Sequence, residues 1–407
     1  MGKKITELNE GVIPYTGTEE VALVDEAQTR RASLSSIANY LSGAKYGTAQ
    51  DKPLATPLAN SFFQKDQSIK GNLSASGSLV VAAGAGIAIG SNSSVTGGCN
   101  NCASGTCSNI GGGCANCTTT TYTVIGGGQS NCATANHGTV GGGTANCATG
   151  ACGTVGGGNT NVASSLGSTI GGGRQNCASA FYSTVAGGDD NAASELYTAI
   201  GGGYCNIASA RASNVPGGCC NTASGCHSSV VGGFKNTAAG DCSVVGGRCN
   251  QATAAGDAAG VVAGGSNTAS GLSSFVGSGC GNTASGNCGS VVVGGMTNVA
   301  SGLSSFVGGG CGNDATQAGS AVVGGHSNCA SCKGTFVGGG FNNRAMGDFA
   351  TVAGGQCNTS CGKFGSIGGG CNHDAQDCFA TIGGGLCNCA SNYGTIGGGE
   401  SNSACGC

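Results

Sequence analysis

From Val95 to Asn402 the apolar and polar positions recur with a period of 15 residues, 21 times over. A Val or Ile opens each unit (Val95, Ile110, Ile125, Val140, Val155, Ile170), and glycines follow at once, as in Gly126-Gly127-Gly128. Six positions after the Val or Ile comes Asn: Asn101, Asn116, Asn131, Asn146, Asn161, Asn176, Asn191, Asn206, Asn221, Asn236 and onward, replaced once by His373. Two further on comes Ala, as in Ala133, Ala148 and Ala163. A short period sustained this long predicts a stacked solenoid. The offsets 0, 6 and 8 are all even, so within extended segments these residues share one face. A coil of this size holds two short strands and two turns, with the glycine runs expected at the turns. Stacking at about 4.8 Å would superpose identical residues, giving Val/Ile and Ala ladders inside and an Asn amide ladder at a bend. A helix is implausible, since each interior Gly costs about 1 kcal/mol there. Collagen requires Gly at every third position, which this chain lacks. The expected class is an all-β parallel β-roll.

The period breaks locally. The step from Val230 to Val244 is 14 residues and the next, to Val261, is 17, so small outward loops are expected near Ala252–Gly260. Ala269 to Val276 recurs as Ala300 to Val307, which places Phe275, Phe306 and Phe336 on one column at every second coil. Packing between chains is the expected role of that column.

Before the array the composition changes. Residues 1–48 hold a short strand pattern at Val21-Ala22-Leu23-Val24, after a Pro14/Gly17 turn. Ser33 can cap a helix whose Leu34, Ile37 and Leu41 form one apolar stripe. Residues 49–90 read as a transition, with Pro53 and Pro57 favouring extended chain and Val80, Val81, Ile87 and Ile89 suggesting irregular first coils. The roll itself is taken as 91–407, with no separate tip expected after Ile396.

Two segments carry a resemblance. Ser183-Thr184-Val185-Ala186-Gly187-Gly188 and Asn221-Thr222-Ala223-Ser224-Gly225 resemble the head repeats of trimeric autotransporter adhesins. The resemblance implies a left-handed parallel β-roll with three chains side by side. Those adhesins also carry an export signal, a coiled-coil stalk and a membrane barrel, which this sequence is not expected to share. Lys3-Lys4-Ile5-Thr6-Glu7-Leu8, Val21 to Asp25 and Thr29 to Leu34 are similar to the opening of phage fibre and head-appendage proteins. That implies an anchor in the particle; a plain N-terminal cap for the roll is the alternative.

Composition sharpens this picture in three respects. Val/Ile and Ala make a thin core, which burial against two further copies would relieve, so a homotrimer is expected. Sixteen charged side chains lie before residue 71 and none between Gly71 and Gly173. With a net charge of −3 and no basic patch, nucleic acid is not an expected partner. Membrane insertion is not expected either, because no run of 18 apolar residues exists.

The 28 cysteines are the strongest chemical signal. Cys99 and Cys102 followed by Cys114 and Cys117 have the form of a zinc ribbon. They are also two occupants of the same repeat columns, continued by Cys132 and Cys147, so their spacing follows from the period alone. No metal or cofactor is expected. Stacked neighbours fall inside the 4.4–6.8 Å Cα window of a disulfide, and some disulfides are expected, with partners offset across a turn or between chains. Reduced thiols packed as small apolar groups are the alternative. His137, His227, His326 and His373 form no recognisable catalytic set, and Asp189-Asp190 reads as a solvated turn, so no enzyme is expected. Thr139, Thr154, Thr169 and Thr184 form a threonine column. The sequence thus reads as a virion fibre, with a cell-surface adhesin or surface-layer component as the second reading.

Overall fold

A computed structural model describes residues 86–406. Leu34, Ile37 and Leu41, and nearly all of the expected transition, lie outside the described residues. The described chain winds as a parallel β-solenoid of about 21 turns of about 15 residues, without helix. Nearly all strands are two residues long, from β1 (Ile87–Ala88) to β43 (Ser403–Cys405). Odd-numbered strands form a first parallel sheet of 22 strands, and even-numbered strands form a second. Cys102, Cys117, Cys132 and Cys147 are successive partners in the first. Thr139, Thr154, Thr169 and Thr184 are successive partners in the second. A third line of single bridges runs from Cys99 to Glu400. The stack already contains Ile87–Ala88, paired with Cys102–Ala103, inside the stretch read as transition.

Numbering each coil from its Val or Ile as position 0, positions 0 and 8 face inward and form the core. Ile110, Ile125, Val140, Ala103, Ala133 and Ala148 are completely buried. Each coil therefore contributes one medium and one small apolar side chain, and cohesion along the rod comes mostly from neighbouring coils.

The bend between the two strands is governed by the position-6 asparagines, which are buried. Asn116 Nδ2 donates to the carbonyl of Gly112 in its own coil and to that of Gly128 in the next, both at 2.9 Å. Its Oδ1 accepts the Asn131 N–H at 2.9 Å. The reason lies in the backbone. Along the strands N–H groups point to the following coil, as Cys117 N–H does to Asn131 O. At the bend Ala115 N–H points back to Cys99 O, and the next N–H, that of Asn116, also points back. Its acceptor is the Oδ1 of Asn101, at 3.0 Å. Without that side chain a buried N–H would be left unpaired.

The glycines are used differently from the expectation that they supply all the turns. The third one of each run, such as Gly113 at φ +89, holds a left-handed backbone, and an added Cβ would fall on the Gly128 carbonyl oxygen. The other left-handed corners, at positions 5 and 12, are filled mostly by non-glycine residues, including Tyr122, His137, Gln175, Lys235 and Phe364. Such a conformation costs about 1–2 kcal/mol each. It is offset by a hydrogen bond to the preceding coil, as from Tyr122 N–H to Thr106 O at 2.9 Å. Position 13 closes this second turn: Ser108 Oγ, buried, donates to Gly105 O at 2.7 Å.

The irregular coil is placed as expected, but its register is not. Val230 pairs with Val245, not Val244, and Val245 pairs with Val261. The steps are therefore 15 and 16 residues, and Val244 points outward. One residue is missing from the glycine bend, since Asn250 follows Asn236 by 14. Two extra residues fall in the turn between Ala252 and Gly260.

His373 shows which functions of the asparagine are separable. Its N–H donates to Asn358 Oδ1 at 3.0 Å, and its Nδ1 accepts the Asn388 N–H at 3.1 Å. The acceptor role survives. The ring proton must then sit on Nε2, which is buried without a partner. Replacing Asn206 or Asn221 by Leu should lower stability by about 1–3 kcal/mol through unpaired backbone groups. His373→Asn should raise it, by about 1 kcal/mol, because the two glycine carbonyls regain a donor. Thermal unfolding of the three variants checks both signs. An unchanged melting temperature in all of them would remove the ladder from its central place.

Candidate functional site

Because identical positions stack, every outward side chain becomes part of a line along the rod. Position 7 of the first sheet carries Cys102, Cys117, Cys132 and Cys147, all half-buried. Burial pushes the Cys117 thiol upward, reinforced by Cys102. Burial, then Cys147 and Cys117, push Cys132 up to about 11. Cys99 and Cys114 belong to the bridge line at position 4, and their Sγ atoms lie 2.6 Å apart. The directly stacked thiols of Cys99 and Cys114 therefore approach each other. A second group sits further along, where Cys219 and Cys220 Sγ are 3.4 Å apart. All described cysteines are thiols here. The four residues of the ribbon-like spacing thus separate onto two lines. Among the described residues no three His, Cys, Asp or Glu side chains converge on a point where a metal could sit.

The acidic residues sit on the bridge line, in coil corners and on the outer face of the first sheet. Asp189 accepts from Arg174 Nε at 3.0 Å, in an exposed pair that contributes little to stability. Asp314, partly buried at position 7, has its carboxyl pushed upward by desolvation. Of the histidines, His137 stacks on Tyr122 with ring centroids 5.1 Å apart, His326 stacks on Phe341 at 5.3 Å, and His373 belongs to the buried ladder. These stacks and the ladder account for all three placements.

The sequence reading missed an aromatic line. Phe349, Phe364 and Phe379 at position 12, with Tyr393 at the same corner of a coil one residue shorter, stack in one run with centroids 5.0–5.4 Å apart. Tyr182 and Tyr197 form a shorter pair on the same line. The signal was present, since Phe349, Phe364 and Phe379 are one period apart. What could not be read was that a left-handed corner points these rings outward and over one another. The ring faces cover each other, so this line offers mainly edges to solvent.

Phe275, Phe306 and Phe336 lie at position 14 on the outer face of the second sheet, alternating with Val291 and Ala321. They are more than one-third exposed. Among the described residues no helix is long and apolar enough to cross a membrane. Comparison with family models and with curated proteins gives no match.

The buried thiol line makes a pH prediction for the reduced chain. Below about pH 9 the Cys132 thiol is protonated in both folded and unfolded chains, and its contribution to stability is complete. Between about 9 and 11 the unfolded chain releases the proton while the folded chain keeps it, so stability falls. Pulsed alkylation read by mass spectrometry should give Cys132 a midpoint near pH 11. A midpoint at the ordinary value of 9.0 would mean the line is open to water.

Proposed function

We propose that the chain is a structural and adhesive fibre of a virus particle, a phage appendage, assembled as a homotrimer. The observation that carries this reading is the uninterrupted, in-register stack from Ile87 to Cys405. In it almost every coil is joined to the next by the same buried asparagine. Some 21 coils at about 4.8 Å make a shaft of roughly 100 Å. A rod of nearest-neighbour contacts resists bending all along its length, which suits a spacer that holds a surface away from a particle. Repeated outward lines suit many weak contacts with a host cell-surface receptor, whose sum is strong. Residues 1–48, with Leu34, Ile37 and Leu41, supply the attachment to a head or tail protein. The protein is made in the host cytoplasm and works at the virion surface.

In this reading part of the cysteines pair after release from the reducing cytosol. Thiol–disulfide exchange with a small-molecule disulfide suffices: two protein thiols become one disulfide, and the reagent leaves as two thiols. Thiol titration of purified particles with elemental analysis tests it. The expected outcome is fewer than 28 free thiols per chain and little zinc; complete free thiols would overturn the pairing.

Light scattering should return a mass of three chains, and a stable monomer would remove the fibre reading. A chain beginning at Asp51 should still fold and trimerise, yet fail to join particles when supplied in trans. Normal incorporation of that shortened chain would reduce residues 1–48 to a cap.

A further inference from the structure

The outward face of the second sheet differs from every other side of the solenoid. It consists of positions 14, 1 and 2 of each coil. In the described residues 17 charged side chains and 27 cysteines occur, and not one of either falls on those positions. They occupy the bridge line, the corners and the outer face of the first sheet instead. Between Ser229 and Val337 the uncharged face becomes apolar, with a two-coil alternation. Phe275, Phe306 and Phe336 are each followed two residues on by a glycine at position 1, Gly277, Gly308 and Gly338, and each ring reaches over that glycine, 3.3–3.4 Å from where a Cβ would sit. The intervening coils invert the pattern, with Val262, Val293 and Val323 at position 1, each about half exposed or more.

We propose that this face is the contact through which identical chains associate side by side, parallel and in register. The inference rests on the homotrimeric reading and names the surface that makes it. The partner is identified by the repeat: a surface that recurs every 4.8 Å or so over roughly 100 Å is matched along its whole length only by a body of the same rise. A second copy of this chain has that rise. At about 10 Å across, the face offers roughly 1,000 Å² per chain; divided between two neighbours, this gives about 1,000 Å² for each pair of chains, the lower bound of a specific interface. The alternation also sets the axial register. In register, phenylalanine levels meet phenylalanine levels, and a slip of one coil changes every contact at once.

The test uses the full chain. Phe306→Asp places a carboxylate on the face, and Leu303→Asp places one in the same coil at the exposed turn, off the face. Light scattering should show wild type and Leu303→Asp at the mass of three chains and Phe306→Asp at one, with the strand signal in circular dichroism kept. Should Phe306→Asp not fold, benzoylphenylalanine at position 306 replaces it. Photo-crosslinks from 306 to positions 14 or 1 of another chain support the proposal; crosslinks only to corner positions overturn it. A trimeric wild type with a trimeric Phe306→Asp overturns this face and leaves the trimer standing. A monomeric wild type overturns both.

Discussion

The structure depends on one side chain standing in for a backbone acceptor. In a parallel stack of coils, strand N–H groups can all point to the next coil, but a bend must turn some of them around. Here Ala115 and Asn116 both point back, and only the first finds a carbonyl. The second is met by Asn101 Oδ1. The same amide uses its two hydrogens on glycine carbonyls of its own and the following coil, so one small residue braces its own bend by one bond and links two turns by two more. Asp could accept but not donate; Leu could do neither. His373 separates acceptance from donation, because it keeps the first and leaves Nε2 idle.

A fixed bend has consequences for everything outside it. Once Asn and the left-handed glycine at position 3 are in place, neighbouring coils superpose residue for residue, and any outward side chain repeated at one period becomes a line. Local motifs then lose their usual meaning. Cys99, Cys102, Cys114 and Cys117 look like a ligand set in the sequence, yet the fold puts them on two separate lines. What they share with their true neighbours is a line along the rod, one coil apart in height. The left-handed corners act similarly, because they turn even large rings outward and lay Phe349, Phe364 and Phe379 on one another.

The period, the buried Val/Ile and Ala lines, the Asn ladder and the threonine column were all legible in the sequence, because each is a repeated residue type at a fixed offset. Register at the irregular coil was not. Val244 and Val245 are equivalent as letters, and only the count of residues left to form the bend decides between them. With Val245 inside, the coil reaches Asn250 by losing one residue from the bend, and Ala252 stays on the core face. The corners were illegible for a different reason. A positive φ at Tyr122 or Phe364 follows from the hydrogen bond each N–H makes to the preceding coil, not from anything in the residue itself.

The strict demands of the coil are also unevenly spread around its circumference. The bend requires Asn and Gly, the second turn mostly uses Ser or Thr at position 13, with Gly or Ala in the remaining coils, and the core admits only Val, Ile and Ala with few exceptions. Position 14 is under none of these constraints: its side chain points outward from a strand whose backbone is already paired. It could carry Lys or Glu as readily as Thr, which is how exposed strands ordinarily protect themselves. Across the described coils it carries Ser, Asn, Thr, Ala, Val, Gly and Phe and no charge. A position free to be polar and uncharged throughout needs a reason beyond the fold of one chain. Solubility favours charge there, and a single solenoid gains nothing from Phe306 held more than one-third exposed. Burial against another body of the same repeat, the association proposed above, would supply that reason, and it would do so without drawing on the ladder that holds each coil to the next.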